Sequence, residues 1–399
     1  MTIRSAMTAA TVAGATAIAL VGCADDSSDN GSAGSADSNG DGARHELSIG
    51  WVPANTTGVF NTATSYFEAA VAEANENGFD IDLTVQAPTG GEANSAGFQQ
   101  IIENLISTDV DVIVVSPGDS EAIKPAVRAA NDAGIPVVYV NLLDDPDDVD
   151  VSAFVGFDNV DAGRISAYSV LDYFGGPGVL GAGEKVEVAE EDYLDLAFWE
   201  ELYADADLSD VEVSGALIEG VKGTIYSNQR LQGFNEVMEL APGVEVVTTL
   251  AGDWDRQVGA DAAAAIITRY EELDFIWAAS NEMALGASSI LKGADRLDVN
   301  ADNGEPTPGL TALFTNDNTG ESTDAIRAGD IIAETSHGFA DWGWVGTQVA
   351  VELACGLEAE RFNDIRPRTV YVGNADQFYP EPSLPEIDWA EIAESCDAS

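Results

Sequence analysis

The chain has 399 residues, 45% of them hydrophobic, which is enough for two domains with cores of their own. Asp and Glu number 70 against 16 Lys and Arg, a formal net charge of −54. Nucleic acid and anionic lipid surfaces are thereby excluded as partners, because both demand clustered cations. The acid excess is spread along the chain rather than held in one tail, a surface pattern suited to a salty medium in which counterions screen self-repulsion.

Residues 1–22 read as a secretory leader. Arg4 is the only early cation, and an Ala/Thr/Val/Ile/Leu stretch runs to Leu20. The stretch is too short and too rich in Ala and Thr for a spanning helix. Leu20-Val21-Gly22-Cys23 resembles the lipobox of bacterial lipoproteins. That resemblance implies cleavage before Cys23, acylation of Cys23, and an extracytoplasmic protein (periplasm or outer cell surface) anchored to the membrane by its N-terminal lipid. Residues 23–45 form an acidic Gly/Ser/Asp tether that cannot bury apolar area.

A regular rhythm then begins. Residues 47–52 read as a buried strand, and Ala63, Tyr66, Phe67, Ala70, Val71 and Ala74 follow at helical spacing. Residues 81–87 form a strand, and Phe98, Ile101, Ile102, Leu105 and Ile106 mark the next helix face. Strand 112–116, a helix around 123–130 and strand 136–141 follow. Strand 152–158 leads to a helix over 160–174. Later strands at 216–219, 245–250, 275–280 and 311–315 lead to helices near 228–240, 258–270, 282–292 and 322–328. Strand 331–336 precedes a helix from Asp341. Strands apolar throughout, alternating with helices, predict an α/β fold with two parallel sheets covered on both faces and a crevice beyond the strand C-termini. Two segments break the rhythm. Residues 175–210 read as a surface insertion, with Leu194, Phe198 and Leu202 on one face of an acidic helix, and 298–309 as a shorter polar insertion.

Enzyme motifs are mostly absent. There is no Gly-x-Ser-x-Gly, no His-Glu-x-x-His and no Cys-x-x-Cys, and only two histidines occur. No catalytic residue, cofactor or metal is therefore expected. Gly176-Pro177-Gly178-Val179-Leu180-Gly181 matches a dinucleotide pattern formally, but it follows a helix rather than a strand and reads as a loop. Asp298, Asn300 and Asp302 alternate like the start of a calcium loop, but the glycine falls one place late and no glutamate holds the twelfth position. With Cys23 acylated, Cys355 and Cys396 either form one disulfide pinning the C-terminal tail or stay as two thiols. The informative polar groups sit at strand ends: Asn141, Ser280, Asn281, Asn316 and Asp317, with Arg230 at a helix start and Trp254 after a strand. Amides, carboxylates, an Arg fork and an aromatic face are what a hydroxyl-rich ligand needs, although any one of them alone could be a helix cap.

Asn281-Glu282-Met283-Ala284-Leu285-Gly286-Ala287 resembles a stretch of ribose-type periplasmic sugar-binding proteins of the type I family. Ser116-Pro117-Gly118-Asp119-Ser120-Glu121-Ala122, Gly134-Ile135-Pro136-Val137-Val138, Val155-Gly156-Phe157-Asp158-Asn159 and Arg230-Leu231-Gln232-Gly233-Phe234 match the same family in the same order. The resemblance implies two Rossmann-like domains joined by a three-crossover hinge. One is expected from 46–144 with 338–370, the other from 145–337 with 371–399, with crossovers near 141–158, 316–319 and 337–340. It also implies ligand contacts from Phe60, Asn141, Arg230, Trp254, Ser280, Asn281, Asn316, Asp317 and His337. Leu142, Ser280, Asn316 and His337 depart from the family pattern and put ribose itself in doubt. Trp51, Phe339, Trp342 and Trp344 are candidates to extend the aromatic wall, Trp342 being more readily placed in the core by its helical spacing with Val345, Val349 and Leu353. The function implied is a monomeric lipoprotein, not an enzyme, that captures a small sugar or polyol and delivers it to the membrane permease of an ABC importer. The alternative is a sensor subunit for a sugar or autoinducer-2-like signal that reports to a membrane histidine kinase or chemoreceptor.

Overall fold

A run such as Val112-Ile113-Val114-Val115 leaves no polar side chain for a solvent face, so a sheet of such strands must be covered on both sides. A computed structural model, which describes residues 44–183, 185–189 and 192–399, has this arrangement twice. The leader, Cys23 and nearly all of the tether lie outside the described residues.

The first lobe begins with β1 (His45–Val52), α1 (Gly58–Glu76), β2 (Phe79–Val85), α2 (Ser95–Ser107), β3 (Val112–Val115), α3 (Ser120–Ala133), β4 (Val137–Val140) and β5 (Ala153–Gly156). The second contains α4 (Asn159–Tyr173), α5 (Leu196–Tyr203), β6 (Val213–Glu219), α6 (Ile225–Met238), β7 (Val244–Ala251), α7 (Arg256–Arg269), β8 (Phe275–Ala278), α8 (Asn281–Gly293), β9 (Ala312–Asp317), α9 (Gly320–Arg327) and β10 (Ala333–Ser336). The chain returns to the first lobe with α10 (Phe339–Ala354) and β11 (Phe362–Asp364), adds β12 (Arg368–Tyr371) to the second sheet, and ends with α11 (Trp389–Cys396). The sheet orders are β11-β5-β4-β3-β1-β2 and β12-β10-β9-β8-β6-β7, parallel except for the β10–β12 pair. In each sheet the order reverses beside its first strand, β1 or β6, so the loops after the strands splay apart there and open a crevice.

Each lobe has its own core, with Trp51, Phe67 and Phe154 in the first and Tyr173, Phe234 and Trp277 in the second. Helices α4 and α6 cross where a Cβ on Gly163 would strike the Arg230 carbonyl and one on Gly233 would strike that of Val160. Only glycine permits this approach, and it sets the Arg230 side chain beside Asn159.

Several expectations change. Strand β5 pairs with β4, so the chain leaves the first sheet after Gly156 rather than at 144. Apolar character alone cannot say which sheet a strand joins. Residues 316–319 connect β9 to α9 within one lobe and are no crossover. The passages are 156–159, 336–339 and 364–368, and a fourth leads the tail back to the first lobe, where Ile387 and Trp389 are buried. The Cys355–Cys396 disulfide fixes that tail to the end of α10, which closes the open alternative for the two thiols.

The 175–210 segment is not a surface insertion. Val179, Leu180, Leu194 and Trp199 belong to the second core, and α5 buries Trp199 and Tyr203 most deeply while Phe198 and Leu202 pack half-buried against the same core. Asp172, at the end of α4, accepts from the backbone of Gly178 (3.0 Å) and Leu180 (2.6 Å), and the indole of Trp199 donates to Thr369 (3.0 Å). The polar 298–309 segment braces it. Asp298 accepts from the Tyr173 hydroxyl at 2.7 Å and the Thr307 N–H at 3.1 Å.

Candidate functional site

The loops at the strand C-termini of both sheets face one another across a cavity of about 370 Å³. From the first lobe come Asn55 after β1, Phe60 in α1, Glu92 after β2, Asn141 after β4, and Phe339 and Trp342 in α10. From the second come Tyr226 and Arg230 in α6, Trp254 after β7, Ser280 after β8 and Asp317 at the end of β9.

Arg230 organises the second-lobe wall. Its guanidinium donates from Nη1 to the Ala279 carbonyl (2.6 Å) and to Asp317 Oδ1 (3.0 Å), and from Nε to Asn159 Oδ1 (3.1 Å). It also lies over the Trp254 ring, 5.1 Å from its centroid. A buried guanidinium is tolerated only with such partners, and here a carboxylate and two neutral acceptors supply them. Asp317 stands in backbone that side chains rarely adopt, with φ +110°, and the next residue is also left-handed at φ +81°. Buried Glu334 straps that turn, accepting from the Asn318 N–H (2.7 Å) and its side-chain amide (3.0 Å). Burial pushes the Glu334 carboxyl up to about 8.

His337 lies behind this pair. Its Nδ1 is 3.3 Å from Asp317 Oδ1 and 3.4 Å from Arg230 Nη2, and its ring stacks on Phe157 at 4.2 Å. Burial first, and then the Arg230 charge, bring its pKa down to about 4, so it is neutral at pH 7.

The first-lobe wall is built differently. Asn141 occupies left-handed backbone (φ +79°), which Asn tolerates better than most residues. Glu92 sits in a single 3-10 turn directly after Gly90 and Gly91. The turn packs so closely on Gly118 that a Cβ there would collide with the Glu92 carbonyl. Burial raises the Glu92 carboxyl to about 7, against the opposing pull of Arg230. Tyr226 reaches across from the second lobe and donates to the Pro117 carbonyl at 2.6 Å.

Of the expected contacts, Phe60, Asn141, Arg230, Trp254, Ser280 and Asp317 line the cavity. Asn281, Asn316 and His337 do not; all three are buried behind it. The Asn281 amide donates to Thr319 (3.0 Å) and Ser322 (3.3 Å), while Asn316 accepts from the Ser166 hydroxyl. Of the further aromatics, Trp342 is fully buried in the first core, as its helical spacing suggests, and with Phe339 it also lines the cavity; Trp51 is core, and Trp344 donates to the Pro385 carbonyl. Leu142 is buried in the first core. Glu92, Asn55, Tyr226 and Asn159 were missed. The Gly90-Gly91 pair after a strand was the available signal for Glu92, since it marks a turn at the crevice edge.

Several buried polar atoms of the cavity residues have no hydrogen-bond partner among the described residues: Glu92 Oε1, Asn141 Oδ1, Trp254 Nε1, Ser280 Oγ and Trp342 Nε1. Among the described residues no cluster of three or more His, Cys, Asp or Glu is placed to hold a metal ion, and no helix is long and apolar enough to cross a membrane.

The sequence profile described as periplasmic binding protein domain matches residues 49–358. The chain belongs to this periplasmic binding protein family. Its members are solute-binding proteins, and the two parallel-dominated sheets fit their two-domain fold. The D-ribose/D-allose-binding protein of Pseudomonas aeruginosa is 27% identical over 277 residues, covering 68% of this chain and 72% of that protein. Among solved structures, a periplasmic solute-binding protein of an ABC transporter from Actinobacillus succinogenes, with bound D-allose, superposes with a TM-score of 0.66 at 18% identity. The match covers 83% of this chain and 100% of that one. An ABC transporter solute-binding protein from Bacillus halodurans, with bound myo-inositol, gives 0.63 at 22% identity, over 85% and 99%. Both likenesses establish the shared fold.

Proposed function

We propose that this chain captures a small sugar or polyol between its lobes and presents the closed form to the permease of an ABC importer. The observation that carries the reading is the cavity itself, where aromatic faces alternate with orphaned buried donors and acceptors. A pyranose or cyclic polyol has apolar ring faces for the aromatics and edge hydroxyls that both donate and accept. The direct contacts are Asn141, Arg230, Ser280, Asp317 and Glu92, with Phe60 and Trp254 against the ring. His337, Asn281 and Asn316 act from behind, holding Asp317 and the β8 and β9 ends in place. The chain performs no chemistry on its ligand; specificity arises because a missing hydroxyl leaves a buried group unpaired. Export by the leader and anchoring through acylated Cys23 place the protein outside the cytoplasm, in reach of a permease.

Thermal unfolding of the purified chain in high salt, screened against pentoses, hexoses and polyols, tests the reading. A ligand at 100-fold its Kd raises stability by about 2.7 kcal/mol. A panel that leaves the transition unmoved removes the proposal. For the anchor, Cys23→Ser should release the protein from membranes into the soluble fraction; retention in the membrane fraction would refute acylation at Cys23.

A further inference from the structure

The cavity is unbalanced in charge. Arg230 is the only cation among its lining residues, and its Nε and Nη1 donors are already engaged by Asn159, Asp317 and the Ala279 carbonyl. On the opposite wall Glu92 Oε1 is shielded from solvent and has no hydrogen-bond partner among the described residues, while the Arg230 charge and the Trp254 indole lie close enough to draw its carboxyl pKa down. The residues beside it, Arg230, Trp254 and Tyr226, bring positive charge or N–H and O–H groups and no second carboxylate. The walls around this carboxyl are aromatic: Phe60, Trp254, Phe339 and Trp342 all face the cavity. Of the other lining carboxyls, Asp317 is paired with Arg230, Glu282 is paired with Arg256, Asp255 caps α7 and Asp253 is exposed. That leaves Glu92 as the unpaired carboxyl among the aromatic faces, a recognition site for an ammonium group, since ring faces and carboxylate attract the same charge.

We propose that the ligand carries a protonated amine beside its hydroxyls, as an amino-substituted sugar or polyol, and that Glu92 selects it. This rests on the reading of the chain as a sugar or polyol receptor and narrows it. Asp317 cannot serve as the selector, because Arg230 already neutralises it. Binding of the ammonium ionises Glu92, whose carboxyl is about half protonated near pH 7 in the empty cleft, so about half a proton per site leaves at that pH as the cation enters. The acid-rich surface of the whole chain steers a cation inward at low salt.

The test is calorimetric titration of the full chain with matched pairs: D-glucosamine against D-glucose, D-galactosamine against D-galactose, D-mannosamine against D-mannose, and 1-amino-1-deoxysorbitol against sorbitol. The expected result is that at least one amine binds tenfold or more tighter than its parent. That preference should grow from pH 5 to pH 7 and shrink severalfold in Glu92→Gln, a nearly isosteric change whose folding is checked by its unfolding transition. Parents that bind as well as or better than every amine would overturn the amine while leaving the sugar-receptor reading standing. An amine preference undiminished in Glu92→Gln would overturn Glu92 as selector. Silence in both arms would remove the receptor reading and this inference together.

Discussion

The two walls of the cleft hold similar residue types and use them in opposite ways. On the second-lobe wall, Arg230, Asp317, His337 and Asn159 form a connected network before any ligand arrives. On the first-lobe wall, Glu92 and Asn141 each present a buried oxygen with no partner among the described residues. The difference teaches a division of labour. The second lobe is a preorganised platform, so a ligand meets fixed groups and little ordering entropy is lost there. Unsatisfied atoms lie on both walls, Glu92 Oε1, Asn141 Oδ1 and Trp342 Nε1 on the first and Trp254 Nε1 and Ser280 Oγ on the second. Only the first has an orphaned carboxyl, so closure onto a ligand gains most from that side, and discrimination should reside there.

The largest effect expected from breaking this comparison is at Arg230. Arg230→Ala leaves Asp317 buried without its cation, and both folding and binding should suffer. Loss of one partner of a buried pair costs roughly 3–5 kcal/mol of stability. Binding of the sugar or polyol that stabilises the native chain should weaken by about 2–5 kcal/mol. Chemical denaturation and calorimetry on the same variant read both quantities. A variant that loses affinity with unchanged stability would mean that the platform is assembled by the ligand rather than before it.

The reciprocal experiment is on the first wall. Phe60 is buried beside the cavity, with its ring 6.4 Å from that of Trp342. Phe60→Leu keeps apolar volume and removes the flat face, so affinity should fall by about 1 kcal/mol while the unfolding midpoint moves little. A fall in stability as large as that in affinity would place Phe60 in the first core rather than in the ligand's wall.

Two buried groups of the second-lobe platform titrate in opposite directions. His337 has its folded-state pKa lowered to about 4, so the folded chain binds fewer protons than the unfolded one between pH 4 and 6.5, and stability is lost as pH falls through that window. Glu334 is raised to about 8, so the folded chain binds more protons between pH 4.5 and 8, and stability is lost as pH rises. Subtracting the pH profile of Glu334→Gln from that of the native chain isolates the second slope from the general repulsion of the acidic surface. The native chain should lose a few kcal/mol relative to the variant, on the order of 3, on going from pH 5 to pH 8. Parallel profiles would mean that the strap beneath Asp317 is ionised throughout.

Sequence reading reached the platform better than the selector, and the reason is physical. Parallel strands buried on both faces are continuous apolar runs, so the strands from β1 to β10 stand out, and strand-end polar residues such as Asn141, Ser280 and Asp317 follow from them. Strand membership was not legible. Residues 153–156 are apolar enough for either sheet, and only pairing with β4 decides the matter. The tail was illegible for a related cause: β11 is three residues with an exposed, polar end, and its register exists only because β5 offers an edge. Glu92 lies on a loop, where period carries no information and side-chain direction depends on the packing of its turn against Gly118. His337 was noticed at the right place in the chain, yet its burial behind Asp317 depends on the ring of Phe157, contributed by the preceding crossover.

The smallest expected effect separates two readings of a strand-end hydroxyl. A serine before a helix is most often an N-cap, and replacing a working cap by Ala costs about 1 kcal/mol of stability. Ser280 occupies the N-cap position of α8, but its side chain makes no capping hydrogen bond, and its Oγ is buried, partnerless and turned to the cavity. Ser280→Ala should therefore leave the unfolding free energy within about 0.5 kcal/mol of the native value while weakening the ligand by about 1 kcal/mol, one neutral hydrogen bond. Asn281→Ala is the internal control. Its amide ties α8 to the α9 start through Thr319 and Ser322, so stability should fall there by more than the loss at Ser280. Were the two to exchange behaviour, Ser280 would be a strut and Asn281 a contact, and the boundary between the groups that touch the ligand and those that hold them would have to be redrawn one residue along the chain.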